Sequence, residues 1–166
     1  MYKGDIMSSF EYLDLCIKAQ KNIDAKYQVY VFDIVNSKDM NRIDRIIAHY
    51  KMVELMYKIY NRLKYENNVL VDINSISGFG VNNEPFCFAD TFGFTVYRDS
   101  IKDEDIIELY NKYKNELNID FDFHINSLYY ETNKYEEGGM LFFRGYAIDI
   151  AANLDKKEYS KIKKML

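Results

Sequence analysis

The sequence predicts an α+β fold: a ferredoxin-like, palm-type βαββαβ sheet covered by helices, with an added N-terminal helix. Two β-branched and aromatic runs, KYQVYVFDIV at 26–35 and FCFADTFGFTVY at 86–97, have the composition of strands. Two other segments, 38–64 and 101–117, carry apolar residues at three- and four-residue steps, which is the helical period. No repeat and no Pro/Gly/Ser linker interrupts the order. The 166 residues therefore read as one domain, with a helical extension at 1–25, a core at 26–155 and a basic tail at 156–166.

Taken in order, residues 8–22 read as a helix. Ser8 or Ser9 caps it, Glu11 sits in its first turn, and Phe10, Leu13, Ile17 and Ala19–Gln20 roughly follow one face. Residues 26–35 follow as a buried strand that ends near Asp33. Asn36, Ser37 and Asp39 are the candidate caps of the helix over 38–64. Its expected packing face is Ile43, Ile46, Ile47, Tyr50, Val53, Met56, Ile59, Tyr60 and Leu63. VLVDINSI at 69–76 alternates as a strand, GFGVNNEP is a turn, and 86–97 is one further strand that pairs back as a hairpin. Residues 101–117 form a helix with acids first and lysines later, as the helix dipole favours. Residues 119–129 alternate as a half-solvated strand. TNKYEEGG, with Gly138–Gly139, reads as a loop, MLFFRG at 140–145 as the end of a strand, and YAIDIAANL at 146–154 as a helix of small residues.

Composition narrows the function classes. The formal charge is −4, from 22 Lys+Arg against 26 Asp+Glu, which argues against a binder of polymeric nucleic acid. Cys16 and Cys87 lie far apart and form no CxxC pair, so neither a disulfide scaffold nor a cysteine zinc site is expected. No run approaches the ~18 apolar residues of a membrane span. The start, MYKGDIMSSF, lacks a basic region followed by an apolar core, so no signal peptide is expected and the cytoplasm is the default compartment.

Two acids stand out because their neighbours are apolar: Asp33 in VYVFDIV and Asp90 in FCFADTFGF. A carboxylate in such a strand is costly unless it is paired or holds a cation. Side by side, two of them repel unless a divalent ion separates them. Mg²⁺ suits that pair, because it takes one or two carboxylates, keeps some waters and accepts phosphate oxygens. The amides of Asn36 and Ser37, leading into a helix, are candidate phosphate receivers. A strand-end aspartate also serves as a plain turn residue, and that role competes. His49 and His124 have no partner at ligand spacing and read as packing or surface residues, and Cys87 reads as a small core residue.

These segments resemble the class III nucleotide cyclases. VFDIVNS at 31–37 resembles the family's opening F-x-D-I strand and turn. FADTFGFTVY at 88–97 resembles its second metal motif, and GYAIDIAANL at 145–154 resembles its G-x-x-V-N-x-A-A-R-L helix. The three occur in the family's order and with their flanks span residues 26–155. The resemblance implies Asp33 and Asp90 as ligands of Mg²⁺ or Mn²⁺, with the Ile34 carbonyl as a third. It implies attack of a ribose 3′-oxygen on the α-phosphate of a nucleoside triphosphate, releasing pyrophosphate. It also implies a head-to-tail homodimer in which the partner chain supplies the small-residue helix.

Departures from the family pattern are specific. The ribose-orienting Asn falls on Asp149 and the transition-state Arg on Asn153, an uncharged group that cannot neutralise a phosphoryl. Arg144, Lys161, Lys163 and Lys164 are the candidate replacements. The purine-selecting polar pair falls on Phe86 and Phe142, which favour stacking over edge readout. Ala89 replaces the Gly before the second Asp. Purine selectivity is therefore not implied, and the pattern is nearer to the pyrimidine cyclases of bacterial antiphage signalling. The alternative is a catalytically silent cyclase-homology module that binds nucleotides or dimerises. A diguanylate-cyclase relative is disfavoured, because no G-G-D/E-E-F run is present.

Overall fold

The computed structural model describes residues 9–66, 69–70, 85–131 and 136–166. The elements are α1 (Ser9–Ala19), β1 (Tyr27–Ile34), α2 (Arg42–Lys64), β2 (Phe86–Phe88), β3 (Thr91–Tyr97), α3 (Asp103–Glu116), β4 (Phe123–Tyr130), α4 (Glu136–Asn153) and α5 (Ser160–Met165). The four strands make one antiparallel sheet in the order β2-β3-β1-β4, so the α+β class holds. No helix among the described residues is long and apolar enough to cross a membrane.

Strand alternation sorts the side chains into two cores. Tyr30, Phe32 and Ile34 of β1, with Phe92, Phe94 and Val96 of β3, pack against Met52, Leu55, Ile59 and Leu63 of α2 and Ile106 and Tyr110 of α3. The Phe32 and Phe92 rings stack at 4.6 Å between centroids. Val29 and Val31 of β1, with Leu128 and Tyr130 of β4, pack instead against Tyr12 and Cys16 of α1 and Phe143, Ala147, Ile150 and Ala151 of α4. Ala147 and Ala151 are wholly buried, and their small side chains let α4 lie close to the sheet. Along β4 the outer edge meets Gln20, just beyond α1. The Tyr129 N–H donates to Gln20 Oε1 at 3.0 Å, and Gln20 Nε2 donates to the Tyr129 carbonyl.

Several sequence expectations are corrected. α2 begins at Arg42 and is capped by Asn41, not by Asn36, Ser37 or Asp39; Asn41 Oδ1 accepts the Asp44 N–H at 2.8 Å. A short 3₁₀ turn, Ser37–Asp39, precedes it. The first half of α2 is apolar on two faces, and periodicity could not say which is covered: Ile43 and Tyr50 are 70% and 71% exposed, whereas Ala48, Met52 and Leu55 are buried. In α1 the buried face is Tyr12, Cys16 and Ala19, and Phe10 is exposed.

The run 86–97 is not one strand but a hairpin, β2 and β3, that turns at Ala89–Asp90. Of the strand expected at 69–76, Leu70 forms a single bridge to Val96, and residues 71–84 lie outside the described residues. MLFFRG and Gly138–Gly139 belong to α4 rather than to a strand and a loop. A short apolar run fits either a buried strand or a buried helix, and here the helix extends upstream through it. Cys87 is exposed rather than a core residue.

Gly93 sits in β3 between Val31 of β1 and Phe86 of β2. A Cβ there would overlap the Tyr30 carbonyl and the Phe86 ring. Gly93→Ala is therefore expected to cost about 1–3 kcal/mol, as overpacking does, read as a lower urea midpoint at unchanged slope.

Candidate functional site

The sheet register sets three polar side chains in a row. Thr91 of β3 pairs with Asp33 of β1, which pairs with His124 of β4. Phe32 and Ile34 turn to α2 and α3, so Asp33 turns to the α4 side. Asp90 joins from the β2–β3 turn, which is tied to β1 by the Ile34 N–H donating to the Asp90 carbonyl at 3.0 Å. Ala89, preceding it, has φ 52°, the left-handed region where a Cβ is strained. A glycine would adopt that conformation without strain.

Asp33, Asp90 and the α4 residues Asp149 and Asn153 line one cleft of about 630 Å³, together with Ile34, Asn36 and Ser37. Hydroxyl donors fix one oxygen of each central carboxylate. Thr91 Oγ1 donates to Asp33 Oδ1 at 2.7 Å, and Ser37 Oγ donates to Asp90 Oδ2. Among the described residues no protein donor is assigned to the other oxygen of either acid. Burial pushes the Asp33 carboxyl above its ordinary value; the Thr91 hydrogen bond opposes the shift, and the nearby Asp90 charge adds to it.

Beside this pair the β1–α2 turn is pinned. Asn36 is left-handed at φ 56°, and Arg45 donates through Nε and Nη2 to the Ser37 carbonyl at 3.2 and 2.9 Å. The Asp39 and Met40 N–H groups donate to the Asn36 and Ser37 carbonyls at 3.0 and 3.2 Å and close this turn. A turn that leads into a helix in this way is a place where backbone amides can meet an anion.

The α4 side is differently committed. Asn153 Nδ2 donates to the Asp149 carbonyl at 2.8 Å and to Asp149 Oδ1 at 3.3 Å. Tyr159 Oη donates to Asp149 Oδ2 at 2.7 Å, and that hydrogen bond, with burial, pushes the phenol up to about 12. His124 Nδ1 lies 3.2 Å from Asp155 Oδ2.

The structure thus brings Asp33, Ile34, Asn36, Ser37, Asp90, Asp149 and Asn153 together, and does so within one chain. Phe142 lies on an adjoining shelf with Gly145 and Tyr146, stacked on Tyr12 at 3.8 Å. Phe86 and Arg144 line neither the cleft nor the shelf. The Arg144 guanidinium lies 5.2 Å from the Phe86 ring centroid. Sequence reading missed Thr91, Lys156 and Tyr159, and read His124 as a packing or surface residue; it is exposed and lines the cleft. Thr91 and His124 enter through strand pairing, which no local pattern reveals. Lys156 and Tyr159 enter through the turn after α4.

Carboxylate oxygens are the ligand type that a hard divalent cation takes. Among the described residues no group of three His, Cys, Asp or Glu converges to hold a metal ion; Asp33, Ile34 and Asp90 line the cleft together with Asp39, Asp149 and Asp155. Mg²⁺ is commonly held in this way, by one or two carboxylates plus waters and substrate phosphates rather than by an all-protein cage.

Two stability measurements follow. The folded Asp33 carboxyl titrates above its unfolded value. Its stabilising contribution is therefore full below the ordinary carboxylate range and is lost as pH rises through the raised value. Asp33→Asn should accordingly be more stable than wild type near neutral pH, with the advantage vanishing in acid, as read from urea midpoints across pH. Ala89→Gly should stabilise by about 1 kcal/mol in the same assay, by relieving the left-handed backbone. No protein-family model matches this chain, and no curated protein or solved structure matches it.

Proposed function

We propose that this chain is a metal-dependent nucleotide cyclase that converts a nucleoside triphosphate to a cyclic nucleotide and pyrophosphate, on a ferredoxin-like, palm-type core. The observation that carries the reading is the convergence of Asp33 and Asp90 on one cleft, which the turn residues Asn36, Ser37 and Lys38 also line. The order β1–α2–β2–β3–α3–β4 with spatial order β2-β3-β1-β4 is compatible with that core.

In this reading Asp33, Asp90 and the Ile34 carbonyl hold Mg²⁺ or Mn²⁺. The ion, when bound, polarises the α-phosphate and lowers the pKa of the attacking hydroxyl. Ser37 and Thr91 orient the two carboxylates through their hydroxyl donors. The amides of Asn36 and Ser37 receive phosphate. The aromatic shelf at Phe142 and Tyr146 offers a stacking surface to a base without an edge-reading pair, which accommodates a pyrimidine. A homodimer with shared sites is the family arrangement. The cleft here already holds Asp149 and Asn153 beside the carboxylate pair, so sharing is not needed to assemble those groups.

One observation favours a second reading, a nucleotide-binding module without turnover. Asn153 stands where a guanidinium is expected, and its amide is spent on Asp149. The test is pyrophosphate release by the purified chain with Mn²⁺ and each of the four nucleoside triphosphates. Release that falls to background in Asp33→Asn supports the cyclase. Nucleotide binding without release from any of the four supports the silent module. In a turnover-competent chain, Asn153→Arg should raise kcat, on a scale set by the ~10³–10⁵ effect of arginine fingers.

A further inference from the structure

The cleft continues at one end into a second hollow of about 550 Å³, lined by Lys156, Lys157, Glu158 and Lys161. Lys156 belongs to both. At the opposite end the cleft shares Gly145 and Asp149 with the apolar shelf of Phe142 and Tyr146. Gly145 and Asp149 are four residues apart, as are Asp149 and Asn153, so they lie along one face of α4. The trough therefore has a chemical direction: aromatic at one end, acidic in the middle, cationic where α4 ends.

The cations at that end are exposed. Among the described residues, Lys156, Lys157 and Lys161 make no ion pair, whereas neighbouring Lys163 lies 3.6 Å from Asp155. The turn after α4 is held by the Lys156 N–H donating to the Asn153 carbonyl at 2.9 Å. Lys156 is thereby placed beside the position that lacks a guanidinium. Its charge also reaches Asp33, whose carboxylate it favours.

We propose that the hollow of Lys156, Lys157 and Lys161 is a polyphosphate seat. It takes the tail of a bound nucleoside triphosphate or free pyrophosphate, so that a nucleotide lies along α4 with its base toward Phe142. The inference rests on the nucleotide reading of the cleft but makes its own commitment to residues and ligand class. A purely structural role is the competing explanation, since cations near a helix C-terminus favour its dipole. That role predicts lost stability without lost binding.

The experiment is calorimetric titration of the full chain, in Mg²⁺, with pyrophosphate, tripolyphosphate and a nucleoside triphosphate. It is run on wild type, on Lys156→Ala/Lys157→Ala/Lys161→Ala, and on Lys112→Ala as an equal-sign control on α3. The single Lys156→Gln provides a milder variant, and urea unfolding checks that each protein is folded. Wild type should bind tripolyphosphate, and the triple variant should lose about tenfold or more while Lys112→Ala does not. Loss for pyrophosphate and the nucleotide alike assigns the seat to the bound tail; loss for pyrophosphate alone assigns it to the free product. No binding by wild type, or equal affinity in wild type and the lysine variants, overturns the proposal. Lysine-dependent binding without pyrophosphate release keeps the seat and removes the cyclase. Release with an unchanged KM in the lysine variants keeps the cyclase and removes the seat.

Discussion

The two-residue alternation of β1 is the constraint on which the rest of the molecule depends. Tyr30, Phe32 and Ile34 are committed to the layer of α2 and α3, and Val29 and Val31 to the layer of α1 and α4. Because the strand is paired on both edges, a slip by one residue would exchange the two sets. Asp33 continues the second set at the strand's end, where the apolar packing of α4 gives way to the cleft. The same parity that buries Val29 and Val31 therefore delivers a carboxylate to the polar side of α4. Its partners Thr91 and His124 arrive by register alone.

Packing and electrostatics meet at that strand end. An ionised Asp33 is disfavoured by burial and by Asp90, and the Thr91 hydroxyl offsets only part of that cost. Natural folds retain such a cost where the charge serves a ligand. Ser37 and Arg45 brace the adjoining turn from two sides, so one short segment ties Asp90 to the start of α2. The α4 wall is braced separately, through Asp149, Asn153 and Tyr159.

Much of this architecture was legible from residue pattern. β1, α2, α3 and β4 announce themselves by period and composition, and Asp33 and Asp90 by polarity out of place in apolar runs. The misreadings have physical causes. FCFADTFGFTVY lacks a conventional turn pair, because its hairpin uses Ala89 in a conformation that alanine seldom adopts. MLFFRG was ambiguous because an apolar run of that length fits either period. In α2 the isoleucines at 43, 46 and 47 suggested a packed face, yet the sheet meets the stripe that starts at Ala48. The residues around the carboxylates that come from β4 and from beyond α4 were invisible, since strand pairing and chain reversal bring them in from afar.

Gln20 leads to a different consequence. Its carboxamide has the same donor and acceptor as a peptide unit, and it engages both backbone groups of Tyr129 on the outer flank of β4. One side chain thus stands in for a fifth strand. The opposite flank, β2, spans only three residues. A polypeptide annealing along β4 would therefore have to displace the Gln20 side chain from Tyr129 before it could pair there.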